Sequence, residues 1–511
     1  MHFSTHHELQ LLILLATLGA LLVVAARWRK PLPVLLVAGG VAIGFVPGLP
    51  ELELPPDLVL VAILPPLLYA AAFFTGLRDL RSNIKPISLL GFGLVAATTC
   101  AVAFVAHETT SLSWASAFVL GAIVSPTDAL AATEVVRRVG APRRIVAIIE
   151  GESLVNDGLA LVLYRAAVVA AVTGAFSLWH ESWRIVVNVV GGVAVGLAVG
   201  VIVREVRRRI NDTPTEVALA LLSGFLAYLP AEILGVSGVL AAVTIGVFMG
   251  WFTPELTTTE TRLSGRAFWE IFVFVVNALL FALVGLQLRA IAGRLDLTAE
   301  LAGQTLAVIV VVVLVRLLTV PLAVLLPRSA FPLRWLVVIG WAGTRGAVSL
   351  AAALALPTDL PGRDFIVFVT FTVILATLVG QGLTLGPLIR RLGVEDDGGA
   401  EREDAKARLK AAHAALERLD ELAAEEWVRD DTAERLRGAY RFRANRFRAR
   451  YDGNGGDGVE ERSAAFQRLR RELLDAERRA VLALRNEGVI TEEVMHRVQR
   501  DIDLEDSRLD T

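Results

Sequence analysis

The sequence predicts an all-α polytopic membrane protein: about thirteen transmembrane helices in two inverted six-helix repeats with unwound crossing helices, followed by a helical cytoplasmic tail. Three observations predict it. Of the 511 residues 55% are hydrophobic, gathered in runs near the twenty that a bilayer's hydrocarbon core requires. Lys and Arg collect in alternate loops between those runs, and two runs are interrupted by Pro or Gly beside charged side chains.

A window of about nineteen residues finds the spans at about 8–27, 31–48, 57–75, 84–106, 113–136, 145–173, 183–204, 214–231, 235–253, 268–288, 302–326, 333–356 and 364–389. The eighth and ninth are separated only by "PAEILGVSG", and fusing them would leave twelve. Charge decides between the two counts. Arg27, Arg29 and Lys30 open a series of basic loops that continues through Arg78 to Lys85, Arg137 to Arg144, Arg204 to Arg209, Arg262 with Arg266, Arg328 with Arg334, and Arg390 with Arg391. The positive-inside bias puts these loops in the cytoplasm, with the N-terminus outside and the C-terminus inside. A fused span would expel Arg262 and Arg266, so thirteen is the expected number; Arg289, Arg294 and Arg363 are sparse exceptions on the outer side.

A net charge of −2 gives no global basic surface for nucleic acid, and the single Cys100 rules out an intramolecular disulfide framework. The first apolar run follows "MHFSTHHELQ", which lacks a Lys/Arg-rich n-region, so it is expected to be a retained helix.

The fifth span reads "GAIVSPTDALAATE". Pro126 removes a backbone donor there and clashes with the preceding turn, and Asp128 follows it. Freed backbone groups at membrane depth are tolerated only where protein or a water-lined cavity satisfies them, which predicts an unwound helix rather than a simple kink. The twelfth span reads "WAGTRGAVSLAAALAL", with Gly343 and Gly346 around Thr344 and Arg345. An arginine at that depth costs about 2.5–3.5 kcal/mol on insertion scales and implies a carboxylate partner or a cavity. The two breaks hold the same position in spans one to six and eight to thirteen, and those halves start on opposite sides of the membrane. Position carries this repeat, since similarity between the halves is weak.

The sixth span, "IIEGESLVNDGLALVLYRAAVVAAV", has the length of a membrane helix yet carries polar groups near its middle. Glu150, Ser153 and Asp157 share one face, and Glu152 and Asn156 form an adjacent stripe. An isolated carboxylate there must exchange its charge with a proton, a cation or a basic side chain. Asp157 and Asp128 are expected to hold a small hard cation, with Ser153 and the Thr127 carbonyl completing the shell. Arg345 is expected to neutralise Glu152, leaving Asp157 to titrate. Against this stands helix association by hydrogen bonds alone, a weak alternative for Asp157 and an even one for Asn156. Arg165 reads equally as a funnel-wall or a snorkelling residue, Glu232 and Glu270 as interfacial, and Glu216 as a first-turn carboxylate of span eight.

One titratable site between paired broken helices suits alternating access better than the multi-ion filter of a cation channel. An intramembrane enzyme ranks lower, because all seven His lie outside the polar centre and no nucleophile and base pair is present.

With these residues assembled, the chain resembles the monovalent cation:proton antiporter family, in particular the bacterial sodium/proton exchangers. The motifs that carry the resemblance are "LPPLLYAAAF", "SPTDALAA", "GESLVNDGLALVLY", "FWEIFVFVVNALLFALVGLQL" and "GTRGAVSLAAALALP", in order along the membrane region. The resemblance implies a homodimer in the plasma membrane, with spans 4–6 and 11–13 as a mobile core and spans 1–3 and 7–10 as scaffold. It places the family's Asn-Asp pair, associated with electroneutral exchange, on Asn156 and Asp157. Its unwound-helix aspartate falls on Asp128, and its ion pair between the sixth and twelfth helices on Glu152 and Arg345. The partners implied are monovalent cations and protons, Na⁺ first with Li⁺ or K⁺ as alternatives, with no cofactor and no nucleic acid. Some relatives carry an acid near Ala71, which leaves this shell one carboxylate short.

The membrane domain is expected over 1–392 and a regulatory or dimerising tail over 393–511. The tail shows helical runs at about 402–449 and 458–487, broken by "YDGNGGDG". Leu409, Ala412, Leu416, Leu419 and Leu422 suit packing against a partner helix, and "YRFRANRFRARY" suits either a solvated face or anionic headgroups.

Overall fold

Helix starts follow local capping chemistry. The Ser113 hydroxyl accepts from the Ser116 amide (3.2 Å), Asp212 from the Thr215 amide (3.0 Å) and Ser237 from the Leu240 amide (3.3 Å), so each satisfies an orphan donor of the helix it opens. The Thr215 hydroxyl and amide also hold the exposed Asp212 carboxyl below the usual carboxylate range. A computed structural model describes residues 32–44, 58–174, 178–210, 212–296, 298–322, 331–396, 398–452 and 459–507, with isolated positions at 16, 19, 20, 23 and 27. No strand occurs among the described residues.

The chain separates into two compact units, Met1–Glu395 and Asp396–Thr511. In the first, α1 (Leu32–Gly44) and α2 (Leu64–Phe74) precede the short α3 (Leu77–Ser82) and the span α4 (Ile84–Thr109). The fifth span is two half-helices, α5 (Trp114–Val124) and α6 (Ala129–Arg138). The long α7 (Arg143–Thr173) and α8 (Leu178–Arg207) follow. Next come α9 (Thr213–Ile233), α10 (Gly238–Leu256), α11 (Thr259–Ala292) and α12 (Ala299–Leu322). The twelfth expected span is also two half-helices, α13 (Leu333–Trp341) and α14 (Ala347–Leu354), before α15 (Arg363–Arg391). Nine of these described segments are long and apolar enough to cross a membrane. The run expected at about 8–27 lies outside the described residues apart from isolated positions. The eighth and ninth runs are separate helices, because α9 ends at Ile233 and α10 starts at Gly238.

Burial sorts the spans. In the segment made of α5 and α6, 72% of the apolar window is enclosed, and in α15 61%, against 22% for Val186–Arg207 and 28% for Ala299–Pro321. The broken helix is therefore wrapped in protein, as unpaired backbone at membrane depth requires. Val119, Leu120 and Ile123 of α5, Leu154 and Leu161 of α7, Leu350 of α14 and Phe371 of α15 belong to one apolar core around it.

In the second unit the run expected over 402–449 is not one helix. It folds back as α16 (Gly399–Leu422) and α17 (Asp430–Asp452), burying Ala405, Ala412 and Leu419 on one and Ala433, Ala444 and Phe447 on the other. Then α18 (Val459–Asn486) pairs with α19 (Glu492–Ser507), a helix the sequence reading did not anticipate. Thr491 before Glu492 and Glu493 was its signal: the Thr491 hydroxyl accepts from the Val494 amide (3.3 Å) at the helix start.

Candidate functional site

The backbone leaves helical geometry at Ser125–Asp128 and again at Ala342–Gly346, and the two breaks satisfy each other. The Asp128 amide donates to the Thr344 carbonyl (2.7 Å), and the Thr344 hydroxyl donates to the Asp128 carbonyl (3.1 Å). Four half-helix ends meet at this crossing. Two are C-termini with surplus carbonyls, and each receives an arginine. Arg345 Nε donates to the Val124 carbonyl at the end of α5 (3.1 Å), with a second bond from Nη1 to Gly343. Arg316, from α12, donates to the carbonyls of Ile339 (3.0 Å) and Ala342 (3.2 Å) at the end of α13. A cation is the charge a helix C-terminus favours.

The other two ends are N-termini, and Asp128 lies between them. Its Oδ1 caps α6 through the Leu130 amide (2.9 Å), while Oδ2 is buried without a hydrogen-bond partner. Oδ2 faces Gly346 at the start of α14, where an added Cβ would overlap it. Glycine is needed there for approach. Gly346→Ala is therefore expected to cost about 1–3 kcal/mol of stability. Gly380→Ala, where the added carbon meets nothing within 4 Å beyond the adjoining backbone of its own helix, serves as control; thermal unfolding of both variants checks this.

Helix α7 holds the first break from one side. The Ser153 hydroxyl donates to the Thr127 carbonyl (2.8 Å) and accepts from the Ala129 amide (3.3 Å). Asn156 Nδ2 donates to the Thr127 hydroxyl (2.8 Å), which in turn donates to Glu152 (3.3 Å). Asp157, one turn on from Ser153, makes no hydrogen bond or ion pair among the described residues and is partly exposed. So Asp128, Thr127, Ser153 and Asn156 meet around the unwound segment that contains Pro126, and Asp157 stands beside it uncompensated.

One expected contact is corrected. Glu152 does not pair with Arg345; it is held by Arg316 in a two-pronged bridge, at 2.5 Å to Oε1 and 3.0 Å to Oε2. Both side chains are fully buried. The planar guanidinium fits a carboxylate edge to edge, whereas Arg345 is turned toward the carbonyls of its own break and of α5. Arg316 was legible: "VIVVVVLVRLLTV" carries one arginine in an otherwise apolar run, the same costly feature that singled out Arg345.

Outside this centre, Arg165 and Glu232 pair with each other (2.9 Å) instead of standing as separate interfacial charges, joining α7 to the end of α9. Glu232 also accepts from the Gly238 amide that opens α10 (3.0 Å). Glu216 lies in the first turn of α9 but is buried on Arg207 (3.3 Å). Glu270 pairs with Arg266 on the surface, and Ala71 is exposed on α2.

Residues 13–391 match the family described as the transmembrane sodium/hydrogen exchanger. An uncharacterised Na⁺/H⁺ exchanger of Mycobacterium tuberculosis, Rv2287, is 35% identical over 98% of this chain and 96% of its own length. The Na⁺/H⁺ antiporter NhaG of Bacillus atrophaeus is 29% identical over 96% of each. ApNhaP of Aphanothece halophytica, also a Na⁺/H⁺ antiporter, is 32% identical over 80% of this chain and 79% of its own. The fold is that of the sodium proton antiporter MjNhaP1 of Methanocaldococcus jannaschii, with a TM-score of 0.59 at 20% identity over 75% of this chain and 99% of that one. By family, this multi-pass membrane chain is a sodium/hydrogen exchanger.

Proposed function

We propose that the chain is a secondary active antiporter that exchanges one monovalent cation, Na⁺ first, for one proton across the plasma membrane, with alternating access at Asp157. The observation that carries the reading is the charge balance of the crossing. Glu152 is neutralised by Arg316, Arg345 is spent on helix-end carbonyls, and Asp128 and Asp157 remain. Two arginines against three carboxylates leave one negative charge, so a single Na⁺ or a single proton restores neutrality. A site that binds either, never both, exchanges them one for one and carries no net charge across. Ser153 and the Thr127 carbonyl add the neutral oxygens a small hard cation takes beside carboxylates.

The wider frame of this proposal is thirteen spans in two inverted repeats, the N-terminus outside and the C-terminus in the cytoplasm. Two copies form a homodimer through the scaffold spans, and residues 393–511 act as a cytoplasmic regulatory or dimerising tail. The Arg165–Glu232 pair would then tie core to scaffold. At 44% and 27% side-chain exposure it is worth no more than about 1 kcal/mol, so Glu232→Gln is expected to change turnover by up to about fivefold without moving the apparent cation affinity. A shift in affinity with turnover unchanged would make the pair part of the ion path instead.

The test of the proposal is flux in proteoliposomes holding a pH gradient, challenged in turn with Na⁺, Li⁺ and K⁺, with and without a potential clamp. Collapse by a cation at a rate the clamp does not alter supports electroneutral antiport and ranks the ions. A clamp-dependent rate rejects one-for-one exchange; survival of the gradient against all three ions rejects monovalent cation antiport.

A further inference from the structure

Helix α18 has two faces of opposite character. The inner face is fixed by its own chain: Leu474 is buried with Met495 and Ile502 of α19 also buried, and Arg478 holds Asp475, Asp503 and Asp506 at 2.8–2.9 Å. Arg470 bonds Glu505 on the same side. The opposite face carries Phe466, Leu469, Leu473, Ala476, Ala480 and Ala483, all exposed, with the three large side chains at 61%, 61% and 48%. Their spacing of three and four residues is that of a coiled-coil seam.

The order of sizes along the seam is informative: three large residues come first and three alanines follow. In a parallel pair of identical helices Phe466 would meet Phe466 and alanine would meet alanine, crowding one end and leaving voids at the other. Reversing one helix sets Phe466 against Ala483, Leu469 against Ala480 and Leu473 against Ala476, large against small in every layer. Charge selects the same arrangement. The antiparallel register brings Glu472 opposite Arg479 of the second copy, and Arg470 opposite its Glu477. The parallel register brings Glu472 against Glu477, two like charges. Neither Glu472 nor Arg479 has an ion-pair partner in its own chain among the described residues.

We propose that α18 pairs with α18 of a second copy of this chain in an antiparallel, two-fold symmetric seam centred between Leu473 and Ala476. Such an interface is isologous and closes on itself, so it joins two copies and no more. It rests on the homodimer reading but not on the exchange activity.

The test uses the full-length protein in native membranes, with Cys100→Ser to remove the one native thiol. Two differently tagged chains are co-expressed, one carrying Leu469→Cys and the other Ala480→Cys, and mild oxidation is applied. The seam predicts a cross-linked species bearing both tags. Either variant expressed alone stays uncross-linked, since in the antiparallel pair like positions lie eleven residues apart along the axis, about 16 Å, beyond disulfide reach. In the cross-linking pair, Glu472→Arg lowers the yield severalfold, and adding Arg479→Glu restores it. Self-cross-linking of Leu469→Cys would mean a parallel pair and overturns the proposal. So does absence of the mixed species, whether the two thiols are open to maleimide or are covered by another protein or by lipid. The mass of the solubilised protein is read separately: a dimeric mass without the mixed cross-link rejects the seam and leaves the homodimer standing, and a monomeric mass rejects both.

Discussion

Asp157→Asn is expected to abolish cation-driven collapse of a pH gradient in proteoliposomes, down to the leak of protein-free vesicles, while the protein folds and inserts. The substitution keeps the shape of the side chain and removes its charge. With Asp157 ionised the crossing carries one uncompensated negative charge; with asparagine it carries none, because Arg316 and Arg345 then balance Glu152 and Asp128. A balanced site has no electrostatic reason to strip a cation of its water, and the one carboxyl left at it, Asp128, is already balanced and has no surplus charge to trade between a proton and a cation. Both halves of the cycle fail together. Asp128→Asn removes the same unit of charge but keeps a titratable group at Asp157, so it is expected to lose cation affinity more than proton exchange. Asp364→Asn, on the half-buried first turn of α15 and paired with Arg363, should leave flux unchanged. Wild-type rates in Asp157→Asn would locate the exchanging group elsewhere and remove the charge-balance argument with it.

What the sequence discloses of this centre, and what it hides, follows from the kind of signal each residue leaves. The two breaks are legible because proline and a Gly-Thr-Arg-Gly run contradict a membrane helix locally, and the chain does unwind at Ser125–Asp128 and Ala342–Gly346. The polar stripes of α7 are legible because helical periodicity sets them side by side: Ser153 from one stripe and Asn156 from the next both reach Thr127. The partner of Glu152 is hidden for a different reason. Two buried arginines compete for one carboxylate, and only the tertiary fold, which brings Arg316 of α12 to Glu152 of α7, decides that Arg316 wins. The tail repeats the lesson in reverse. Nothing between Leu422 and Asp430 breaks a helix by composition, and Gly438, which could, sits undisturbed within α17. The hairpin forms there because folding back buries Ala412, Leu419, Ala444 and Phe447, a gain that outweighs a few residues of helix propensity.

The competition for Glu152 yields the second large expectation. Arg316→Met should destabilise the protein by about 3–5 kcal/mol, because it strands a fully buried carboxylate and opens the carbonyls of Ile339 and Ala342. Arg345→Met removes hydrogen bonds to backbone but leaves the ion pair intact, so its cost should be smaller, about 1.5–3 kcal/mol. Adding Glu152→Gln separates the two arginines. On the Arg316→Met background it deletes the stranded charge and should recover much of the loss, giving strong coupling in a double-mutant cycle; on the Arg345→Met background the effects should add. Transport discriminates further. Arg316→Met alone leaves the crossing two charges negative, which favours holding two protons or a proton with a cation and makes exchange sensitive to a potential clamp. The double variant Glu152→Gln with Arg316→Met returns the balance to one and should restore clamp-insensitive exchange in whatever fraction folds. Thermal unfolding in detergent and clamped flux on the same preparations read both. Coupling of Glu152 to Arg345 instead of Arg316, or clamp sensitivity unaffected by Arg316→Met, would mean that the buried pair is only a scaffold and that stoichiometry is set elsewhere.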